Sequence, residues 1–370
     1  MDSRDVAVVG MGALGSAAVY HLSRRGADVV GFEQYELGHV RGASHDTSRI
    51  VRTSYGSAEY VRFAQSAYRD WADLEAESGE RLLTITGGLV FLPHGGPYAA
   101  ADFVSALTAC GVPHELLSPG EVRARWPQFR LPANVDAIYT PDSGIVHAGR
   151  TVATLQLRAR AFGADIRDRT RVEALTPDGA GVIVHTARGD VRVRAVIVAA
   201  DAWSNALLEP LGAAIPLDVM QEQVTYFHAA RPEQYDPGRF PVWIWEDDTC
   251  FYGFPTYGEP TLKAARDVSG NRTTPEDRTF IPSPELTEEL RRFVGGLVPG
   301  VGPELRTVTC QYALAPDRRF VLSPLPGQPS IIVGLASGHG FKFTPAFGRV
   351  LAELALDGKT REDVSAFRLA

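Results

Sequence analysis

The hydrophobic positions at the start of the chain predict a strand, a helix and a second strand in close succession. Residues 5–9 (DVAVV) form a short apolar run of the kind found in buried strands. A helical pattern (SAAVYHLSRRG) follows with Gly26 as its stop, and residues 27–33 (ADVVGFE) form a second apolar run. Elements in this order predict a βαβ unit.

Helical and strand-like patterns alternate further along the chain. Residues 57–79 and 148–163 show helical periodicity. The apolar face of the first of these helices consists of Tyr60, Phe63, Ala67, Trp71 and Leu74. Residues 191–203 read as a strand that runs into a turn, and its apolar core (AVIVAA) is typical of a strand buried in a parallel sheet.

The pattern changes over residues 217–267, where short aromatic runs (QVTYFH, FPVWIWE, TCFYGFP, TLKAARD) are separated by turn residues. This predicts an antiparallel sheet in a second domain. An acidic helix is expected at 283–297. A final strand and glycine loop lead into a helix with Thr344 as N-cap, Pro345 at its first position and Gly358 as its stop.

Composition narrows the class of protein. A chain of 370 residues exceeds the usual size of one hydrophobic core, which favours two domains. The net charge of −7 and the lack of a basic run argue against a nucleic-acid partner. No apolar run approaches the ~18 residues that a membrane span needs.

The cysteines and histidines argue against a disulfide framework and against a metal site. Cys110, Cys250 and Cys310 are odd in number and far apart, so no disulfide framework is expected. The charged start (MDSRDVAVVGMG) does not resemble a secretory signal, and we expect a cytoplasmic protein. Neither HxxxH nor CxxC spacing occurs, so we expect no metal site.

The turn after the first strand carries Gly10, Gly12 and Gly15 in a GxGxxG pattern, and Glu33 ends the next strand. In this context the pattern is a dinucleotide-binding fingerprint. Gly10 makes the tight turn, Gly12 lets the backbone approach a pyrophosphate, and Gly15 allows close helix packing. Glu33 would accept hydrogen bonds from ribose hydroxyls. The motif by itself leaves NAD and FAD open.

A cationic segment, RGASHDTSRIVR (41–52), contains His45, Arg49 and Arg52. Arg49 and Arg52 are three residues apart, so on a helical turn they would share a face. Two clustered cations here could meet a pyrophosphate, a flavin or a substrate carboxylate.

A second glycine-containing segment, SGHGFKF (337–343), lies between a strand and a helix. Gly338 and Gly340 permit close backbone approach, and the helix directs its positive N-terminus towards the loop. Lys342 adds a point charge. The segment therefore suits the anionic edge of a reduced flavin.

Lysine is rare: three of the 37 basic residues are Lys263, Lys342 and Lys359, and the rest are arginine. If residues 261–267 form a strand, Lys263 and Asp267 face the same way. A buried ammonium group in this aromatic region is costly without a purpose. An edge-strand lysine that prevents sheet pairing is the alternative.

The segment LRTVTCQYALAPDRRF (305–320) holds Cys310. On a strand, Val308, Cys310 and Tyr312 share a face. A lone cysteine on a strand is usually a core residue, so the segment alone favours a packing role.

Five segments together (GASHDTSRIVR, YGFP, LK, CQY followed by PDRRF, and SGHGFKF) resemble the monomeric sarcosine oxidase family, which includes N-methyltryptophan oxidase and peroxisomal pipecolate/sarcosine oxidase. The resemblance covers nearly the whole chain. It implies an α/β fold, α+β overall, with a Rossmann-like FAD-binding domain and an antiparallel-sheet substrate domain. We place the first domain at residues 1–85, 145–215 and 310–370, and the second at residues 86–144 and 216–309.

The resemblance also implies roles for single residues. The cysteine matching Cys310 is joined through its sulfur to FAD, the lysine matching Lys263 activates oxygen, and the residues matching Arg52 and Lys342 bind the substrate carboxylate. The residues implied to line the reacting cavity, which we assign to catalysis with Lys263, are His45, Arg49, Tyr252 and Tyr312. Cofactor contacts are expected at Gly10, Gly12, Gly15, Glu33, Ser44, Arg49, Val172, Cys310, Gly338, Gly340 and Lys342.

Two positions depart from the family pattern. Asp267 stands where a histidine is common, four residues after the lysine, and we expect it to favour a substrate with an extra hydroxyl or amine. Asp201 stands where glycine or a small residue is usual, and we attach no expectation to it.

The sequence thus predicts an oxidase with covalent FAD that converts a secondary (N-substituted), sarcosine- or N-methyl-type amino acid to an imine and releases hydrogen peroxide. The alternatives within the class are a fructosyl-amino acid (Amadori) oxidase, with sugar hydroxyls on Asp267 and the Trp243/Trp245 region, and a cyclic imino acid oxidase in a biosynthetic pathway. A nicotinamide-dependent dehydrogenase or a flavin-binding sensor without turnover stays open. The expected partners are a small-molecule amino acid substrate and oxygen, with no nucleic acid and no membrane, and we expect a monomer.

Overall fold

The computed structural model describes residues 2–369. Within that range the chain forms eight α-helices: α1 (Ala13–Arg24), α2 (Ala58–Ser78), α3 (Ala100–Ala109), α4 (Pro119–Arg125), α5 (Ala148–Ala161), α6 (Ser204–Leu208), α7 (Pro284–Leu297) and α8 (Thr344–Asp357). The helices predicted at 57–79, 148–163 and 283–297 are confirmed as α2, α5 and α7.

The strands of the same range are short and numerous. They are β1 (Asp2–Val9), β2 (Val29–Phe32), β3 (Arg49–Val51), β4 (Leu83–Ile85), β5 (Gly88–Pro93), β6 (Glu115–Leu117), β7 (Val135–Thr140), β8 (Gly144–Val146), β9 (Asp165–Arg167), β10 (Val172–Asp178), β11 (Gly181–Thr186), β12 (Val191–Val198), β13 (Asp218–Ala229), β14 (Val242–Trp245), β15 (Cys250–Gly253), β16 (Thr261–Asp267), β17 (Val301–Leu314), β18 (Val321–Leu325) and β19 (Gln328–Leu335).

Eight strands form a mixed sheet around the predicted βαβ unit. The path runs β10-β11-β12-β1-β2-β9, and β19 pairs with β12 and carries β18 on its other side. β1 is parallel to both neighbours, with Val6 opposite Val29 on one side and Ala195 on the other. The apolar end of β1 is therefore buried at the centre of the sheet, as its sequence predicts.

Helices α1, α2, α5 and α8 contribute to one hydrophobic core with this sheet. α1 and α8 lie especially close, since a Cβ atom at Gly348 would come within 2.4 Å of the Ala17 backbone. This contact fixes the position of α1, whose N-terminus follows the glycine turn.

A second sheet of eight strands has the order β17-β13-β16-β15-β14-β5-β7-β6. Its neighbours are antiparallel except β14 and β5, which are parallel. The sheet predicted over residues 217–267 is thus confirmed and is extended by strands from residues 88–140. Helix α7 covers one of its faces, where Phe293 stacks on Phe251 at 3.9 Å between ring centroids.

A small sheet with the order β3-β8-β4 corrects one prediction. Arg49 does not lie on a helical turn with Arg52, because residues 49–51 are extended and Arg49 pairs with Val146 in β8. A partner strand so distant along the chain leaves no local signal in residues 41–52.

The start of α8 corrects a second prediction. Thr344 is the first helical residue and not the N-cap, because residues 341–343 form a 3-10 turn that continues directly into the helix. The Thr344 hydroxyl donates to the Phe341 carbonyl at 2.6 Å instead of capping a free N–H group. Gly358, with φ of +69°, ends the helix as predicted.

The division into two domains stays a prediction. Its boundary at residue 310 falls inside β17, and the one at residues 144/145 falls inside β8. Residues 1 and 370, the outer limits of the predicted first domain, lie outside the described residues.

Candidate active site

A cavity of about 770 Å³ begins at the carboxyl ends of β1, β2, β12 and β19 and extends to the second sheet. Gly10, Glu33 and Ala199 lie near its first end, whereas Glu246 and Lys263 line the region of the second sheet. Ligands of open α/β sheets bind at the carboxyl ends of the strands. The cavity can therefore hold two ligands at once, one beside the glycine turn and one beside the second sheet.

The glycine turn packs too closely against the protein around it to accommodate side chains. Gly10 has φ of +92°, and a Cβ atom there would lie 2.5 Å from the Ala199 carbonyl oxygen. A Cβ atom at Gly15 would lie 1.8 Å from the Gly10 oxygen, and one at Gly12 would lie 3.0 Å from Ser44 Oγ. The N-terminus of α1 thus faces the cavity closely and presents backbone N–H groups to an anion.

Glu33 and Ser44 are held beside this turn. Glu33 is buried and accepts hydrogen bonds from the backbone N–H of Met11 at 2.9 Å and of Tyr35 at 3.0 Å. Burial acts to raise the pKa of Glu33, but hydrogen bonds led by that of His39 outweigh it and the pKa lies below its usual value. Ser44 Oγ accepts the N–H of Ala13 at 2.9 Å.

The segment before β3 is braced by Arg49. Its guanidinium donates to the carbonyl oxygens of Ala43, His45 and Ser48 at 2.8–2.9 Å. Burial, and then Arg49, lower the pKa of His45 to about 4, so this imidazole is neutral at physiological pH. Both residues line the cavity, as does Val172 at the start of β10.

Arg52 lines the end of the cavity opposite the glycine turn, in an ion pair that the sequence did not indicate. Its Nη2 donates to Glu246 Oε1 at 3.0 Å and its Nη1 to the Ser54 carbonyl at 2.9 Å. Arg52 Nε and the Tyr55 hydroxyl are buried without a hydrogen-bond partner among the described residues. Of the two residues Arg52 lines the cavity, so its side chain has a donor left for a ligand there.

Lys342 joins Arg52 at this end. Its Nζ donates to the His339 carbonyl at 2.6 Å. Burial, and then the charge of Arg52, lower the pKa of Lys342 to about 7. Both cations lie over the Tyr55 ring, Arg52 at 4.5 Å and Lys342 at 5.8 Å from its centroid, and two like charges near one ring favour a bound anion.

Asp267 lines the same end and is bound to Arg318 at 2.8 Å. Arg318 lies in the turn Pro316–Arg318 that follows β17. The predicted face of β16 is confirmed, because Lys263 and Asp267 both line the cavity. Asp267 is therefore positioned to contact a bound ligand through its carboxylate, which already accepts a hydrogen bond from Arg318.

Tyr252 and Tyr312 line the wall between the two ends, and burial raises the pKa of both phenols well above the usual value. Gly338, with φ of +76°, lets the loop before α8 approach Tyr312, since a Cβ atom there would come within 2.7 Å of the Tyr312 ring. Gly340 is equally confined, with a Cβ position 2.5 Å from that of Ala336. Neither tyrosine is ionised at physiological pH.

Lys263 is buried in the middle of the second sheet. β16 pairs with β13 on one side and β15 on the other, so the interpretation as an edge-strand lysine is wrong. Lys263 Nζ donates to Asp46 Oδ2 at 2.6 Å and lines the cavity. A buried charge needs a specific partner, and Lys263 has one in Asp46. Lys263 therefore does not serve to prevent pairing at a sheet edge.

Cys310 lies on β17 and is buried. Val308, Cys310 and Tyr312 line one small cavity with Arg49 and Tyr252, which confirms the predicted face of the strand. Burial raises the pKa of Cys310 to about 11, and Arg49 acts in the opposite direction. The thiol is therefore neutral at rest and lies directly beside the larger cavity.

Strand alternation corrects the expectation for the two tryptophans. Trp243 and Trp245 face α7, where they contact Phe293, and not the cavity. Ile244 and Glu246 occupy the cavity side. The alternation of PVWIWE could have indicated Glu246, but it could not show which face was the inner one.

Asp201 also lines the cavity, with φ of +48° and a buried Oδ2 that has no partner in the described chain. Burial raises the pKa of this carboxyl to about 7. It offers a hydrogen-bonding group to whatever occupies the space beside Gly10.

Two kinds of feature are absent from residues 2–369. No group of three or more His, Cys, Asp or Glu side chains there could hold a metal ion. No helix of that range is long and apolar enough to span a membrane.

A strand–glycine–helix turn at one end of a cavity and fixed cations at the other define a dinucleotide-dependent redox enzyme for a small anionic substrate. A match to one protein family identifies the dinucleotide as FAD. The family model matches residues 5–354, and the chain belongs to that family, the FAD-dependent oxidoreductases. The glycine turn, the buried acid after β2 and the long cavity fit FAD.

Individual relatives cover the whole chain. Monomeric sarcosine oxidase of Bacillus sp. (strain NS-129) is 33% identical over 99% of this chain and 96% of its own. N-methyl-L-tryptophan oxidase of Yersinia pestis (strain Pestoides F) is 32% identical over 99% of this chain and 98% of its own. Among solved structures, NikD, an unusual amino acid oxidase essential for nikkomycin biosynthesis, superposes with a TM-score of 0.86 at 27% identity, covering 100% of this chain and 98% of its own.

Proposed function

We propose that this enzyme oxidises a secondary, N-substituted amino acid to an imine and passes the electrons to oxygen, with hydrogen peroxide as the second product. The observation that carries the proposal is the pair of partly buried cations, Arg52 and Lys342, which line the cavity at the end opposite the glycine turn. The similarity to sarcosine and N-methyl-L-tryptophan oxidases supports the choice of substrate class.

Arg52 and Lys342 would hold the substrate carboxylate. A guanidinium offers a planar fork and an ammonium a point charge, and together they fix both the position and the orientation of a carboxylate. The amine of the substrate would then lie towards Tyr252 and Tyr312, in the wall between the two ends. The hydrophobic side of this wall excludes water from the reacting carbon–nitrogen bond.

FAD, when bound, supplies the two-electron acceptor for this oxidation. The glycine turn and the N-terminus of α1 would hold its pyrophosphate, and Glu33 would accept hydrogen bonds from its ribose. The loop of Gly338 and Gly340, with the N-terminus of α8 behind it, would stabilise negative charge on the ring. Cys310 would hold the cofactor covalently, which its buried place beside the cavity supports.

Lys263 would assist the reduction of oxygen. A fixed positive charge stabilises superoxide as it forms, and because Lys263 is buried away from water its charge is less screened than an exposed one. Substitution of Lys263 by Met should leave reduction of the enzyme by substrate nearly unchanged and should slow its reoxidation by oxygen. Equal slowing of the two half-reactions in stopped-flow measurements would contradict the assignment.

The direct test of the function is peroxide release over a panel of N-methyl, cyclic and fructosyl amino acids, together with the absorption spectrum of the purified enzyme. Turnover of N-methyl or cyclic amino acids with flavin bands supports the proposal. Turnover of fructosyl amino acids alone supports the Amadori alternative, and silence over the whole panel contradicts both.

The covalent bond has its own test. Precipitation in acid should leave yellow colour in the pellet, and Cys310→Ser should release all flavin into the supernatant. Colour retained in the pellet of the variant would assign the bond to another residue. We further propose that the enzyme works as a monomer, which size-exclusion chromatography with light scattering tests.

A further inference from the structure

Asp46 adopts a backbone conformation that residues other than glycine seldom have. Its φ is +79°, in the left-handed region that is unfavourable for a residue with a Cβ atom. The side chain is also largely buried, at 10% exposure. A charged residue kept in a strained and buried position suggests that its carboxylate has a function there.

Both carboxylate oxygens of Asp46 have a partner. Oδ2 accepts a hydrogen bond from Lys263 Nζ, and Oδ1 accepts one from the Tyr226 hydroxyl, each at 2.6 Å. The Tyr226 oxygen lies 3.2 Å from Thr47 Oγ1 in turn. The carboxylate is thus fixed from two sides and cannot turn away from the lysine.

Lys263 uses all of its hydrogen-bonding capacity within the protein. Besides Asp46, its Nζ donates to the carbonyl oxygen and to Oγ of Ser48, each at 3.1 Å. An ammonium group has three N–H donors, and all three are engaged. Lys263 therefore acts on a neighbouring molecule through its charge and not by donating a hydrogen bond.

Asp46 has two opposing effects on that charge. Its own negative charge weakens the field of Lys263 in the cavity, but it also retains the proton of a group that lies next to Arg49. Burial, and then Arg49, lower the pKa of Lys263 to about 8 although Asp46 raises it. Without Asp46 the pKa of Lys263 would be lower still, so more of the amine would be neutral, and a neutral amine has no field to weaken. We therefore expect retention of the proton to be the larger effect at neutral pH.

We infer that Asp46 is a positioning residue of the oxygen half-reaction, which keeps Lys263 charged and fixed at the cavity wall. The inference rests on the proposed role of Lys263. The other titratable or charged groups around Lys263 are His45, Arg49, His147, Tyr226 and Cys310. Asp46 is the acid that contacts it in the described chain.

The first test measures the protonation of Lys263 in the flavin-loaded enzyme. With three lysines in the chain, the ¹³Cε signals of ¹³C-lysine give a simple NMR spectrum, and Lys263→Met and Lys359→Arg assign them. Asp46→Asn should lower the titration midpoint of Lys263 by about one pH unit or more. Asp46→Gly should do the same and also relieve the backbone strain. An unchanged midpoint in both variants overturns the inference.

The second test follows reoxidation of the reduced enzyme by oxygen at different pH. The wild type should slow as pH rises through about 8, the pKa of Lys263, and Asp46→Asn should slow at lower pH. Near ~pH 6, where Lys263 is charged in both, the variant should be as fast as the wild type or faster, because the acid no longer weakens the field. Slowing by the same factor at every pH indicates a structural defect and overturns the inference.

Asp70→Asn is the matched control. Asp70 is also a buried acid in an ion pair, with Arg349 Nε at 3.0 Å, but it lies in α2 and does not line the cavity. Asp70→Asn should change neither the titration midpoint of Lys263 nor the pH profile of reoxidation. If Lys263→Met reoxidises at the wild-type rate, the proposed function of Lys263 fails, and this outcome is separate from any effect of Asp46 on the midpoint.

Discussion

At the scale of single residues, the end of the cavity opposite the glycine turn carries both positive and negative side chains rather than cations alone. Arg52, Arg318 and Lys342 face Glu246 and Asp267 there, so the cations exceed the acids by one when all are ionised. One bound carboxylate would complete the balance. Glu246 accepts a hydrogen bond from Arg52 Nη2 and would therefore compete with a bound carboxylate for that guanidinium.

Substitution of Glu246 by Gln should strengthen the binding of small carboxylates. The amide keeps the size of the side chain but no longer competes as an anion for Arg52, and we expect a Kd roughly 3- to 10-fold lower. Calorimetry with acetate and propionate measures this. Glu289→Gln, which removes the acid paired with Arg266 outside the cavity, is the control. Unchanged or weaker binding to Glu246→Gln would show that Glu246 does not compete.

Lys342 should make carboxylate binding depend on pH. Its pKa is lowered to about 7, mainly by burial and then by Arg52, so the ammonium loses its proton as pH rises through this value. Because the charged form binds an anion better, the Kd of acetate should increase between ~pH 6 and ~pH 9. Lys342→Met should bind more weakly and lose most of this dependence. A dependence of the same size in the variant would assign it to another group.

At the scale of elements, the site depends on strands and loops that approach one another without side chains between them. The loop from β19 to α8 shows this best, because Gly338 lies against Tyr312 and Leu314 of β17. The same β17 pairs with β13, where Glu222 lies opposite Cys310. The loop before α8 and the second sheet are thus connected through this one strand.

Substitution of Gly338 by Ala should reduce both stability and flavin content. Gly338 and Gly327 have the same φ, +76°, but a Cβ atom at Gly338 meets Tyr312 at 2.7 Å and one at Gly327 meets nothing within 4 Å. Both substitutions cost about 1 kcal/mol of backbone strain, and Gly338→Ala adds roughly 1–3 kcal/mol from the contact. The absorbance ratio of flavin to protein and the Tm compare the two. Equal losses would mean that strain alone matters.

Glu222 should make stability depend on pH. Burial raises its pKa from 4.5 to about 7 in the folded state, so the unfolded chain ionises this carboxyl first as pH rises. The free energy of unfolding therefore decreases as pH rises from 4.5 to about 7 and is constant above that. The total decrease is up to about 3 kcal/mol. Glu222→Gln should therefore raise the Tm more at ~pH 8 than at ~pH 5. The exposed Glu285→Gln should raise it at neither pH, and a gain for Glu222→Gln that is equal at both pH values would contradict the ionisation argument.

At the scale of the whole molecule, features that depend on neighbouring residues were predictable and contacts between distant segments were not. The glycine turn, α2 and the apolar β12 follow from local patterns. The Asp46–Lys263 pair joins residues 217 positions apart, and the Arg52–Glu246 pair joins residues 194 apart, so no local pattern indicates either. The extended conformation of Arg49 was not predictable, because its pairing with β8 leaves no signal in its own segment. The faces of β16 and β17 were predictable, because alternation along a strand is local.

The scarcity of lysine has a practical consequence. Of the three lysines, Lys263 and Lys342 line the cavity and Lys359 is exposed near the end of the chain. Apart from the α-amino group, Lys359 is therefore the side chain that a reagent acylating primary amines reaches most readily on the native surface. Attachment of the enzyme to an electrode or a bead through amines would orient nearly every molecule alike. Slow labelling of the other two lysines would report how often the cavity opens to solvent.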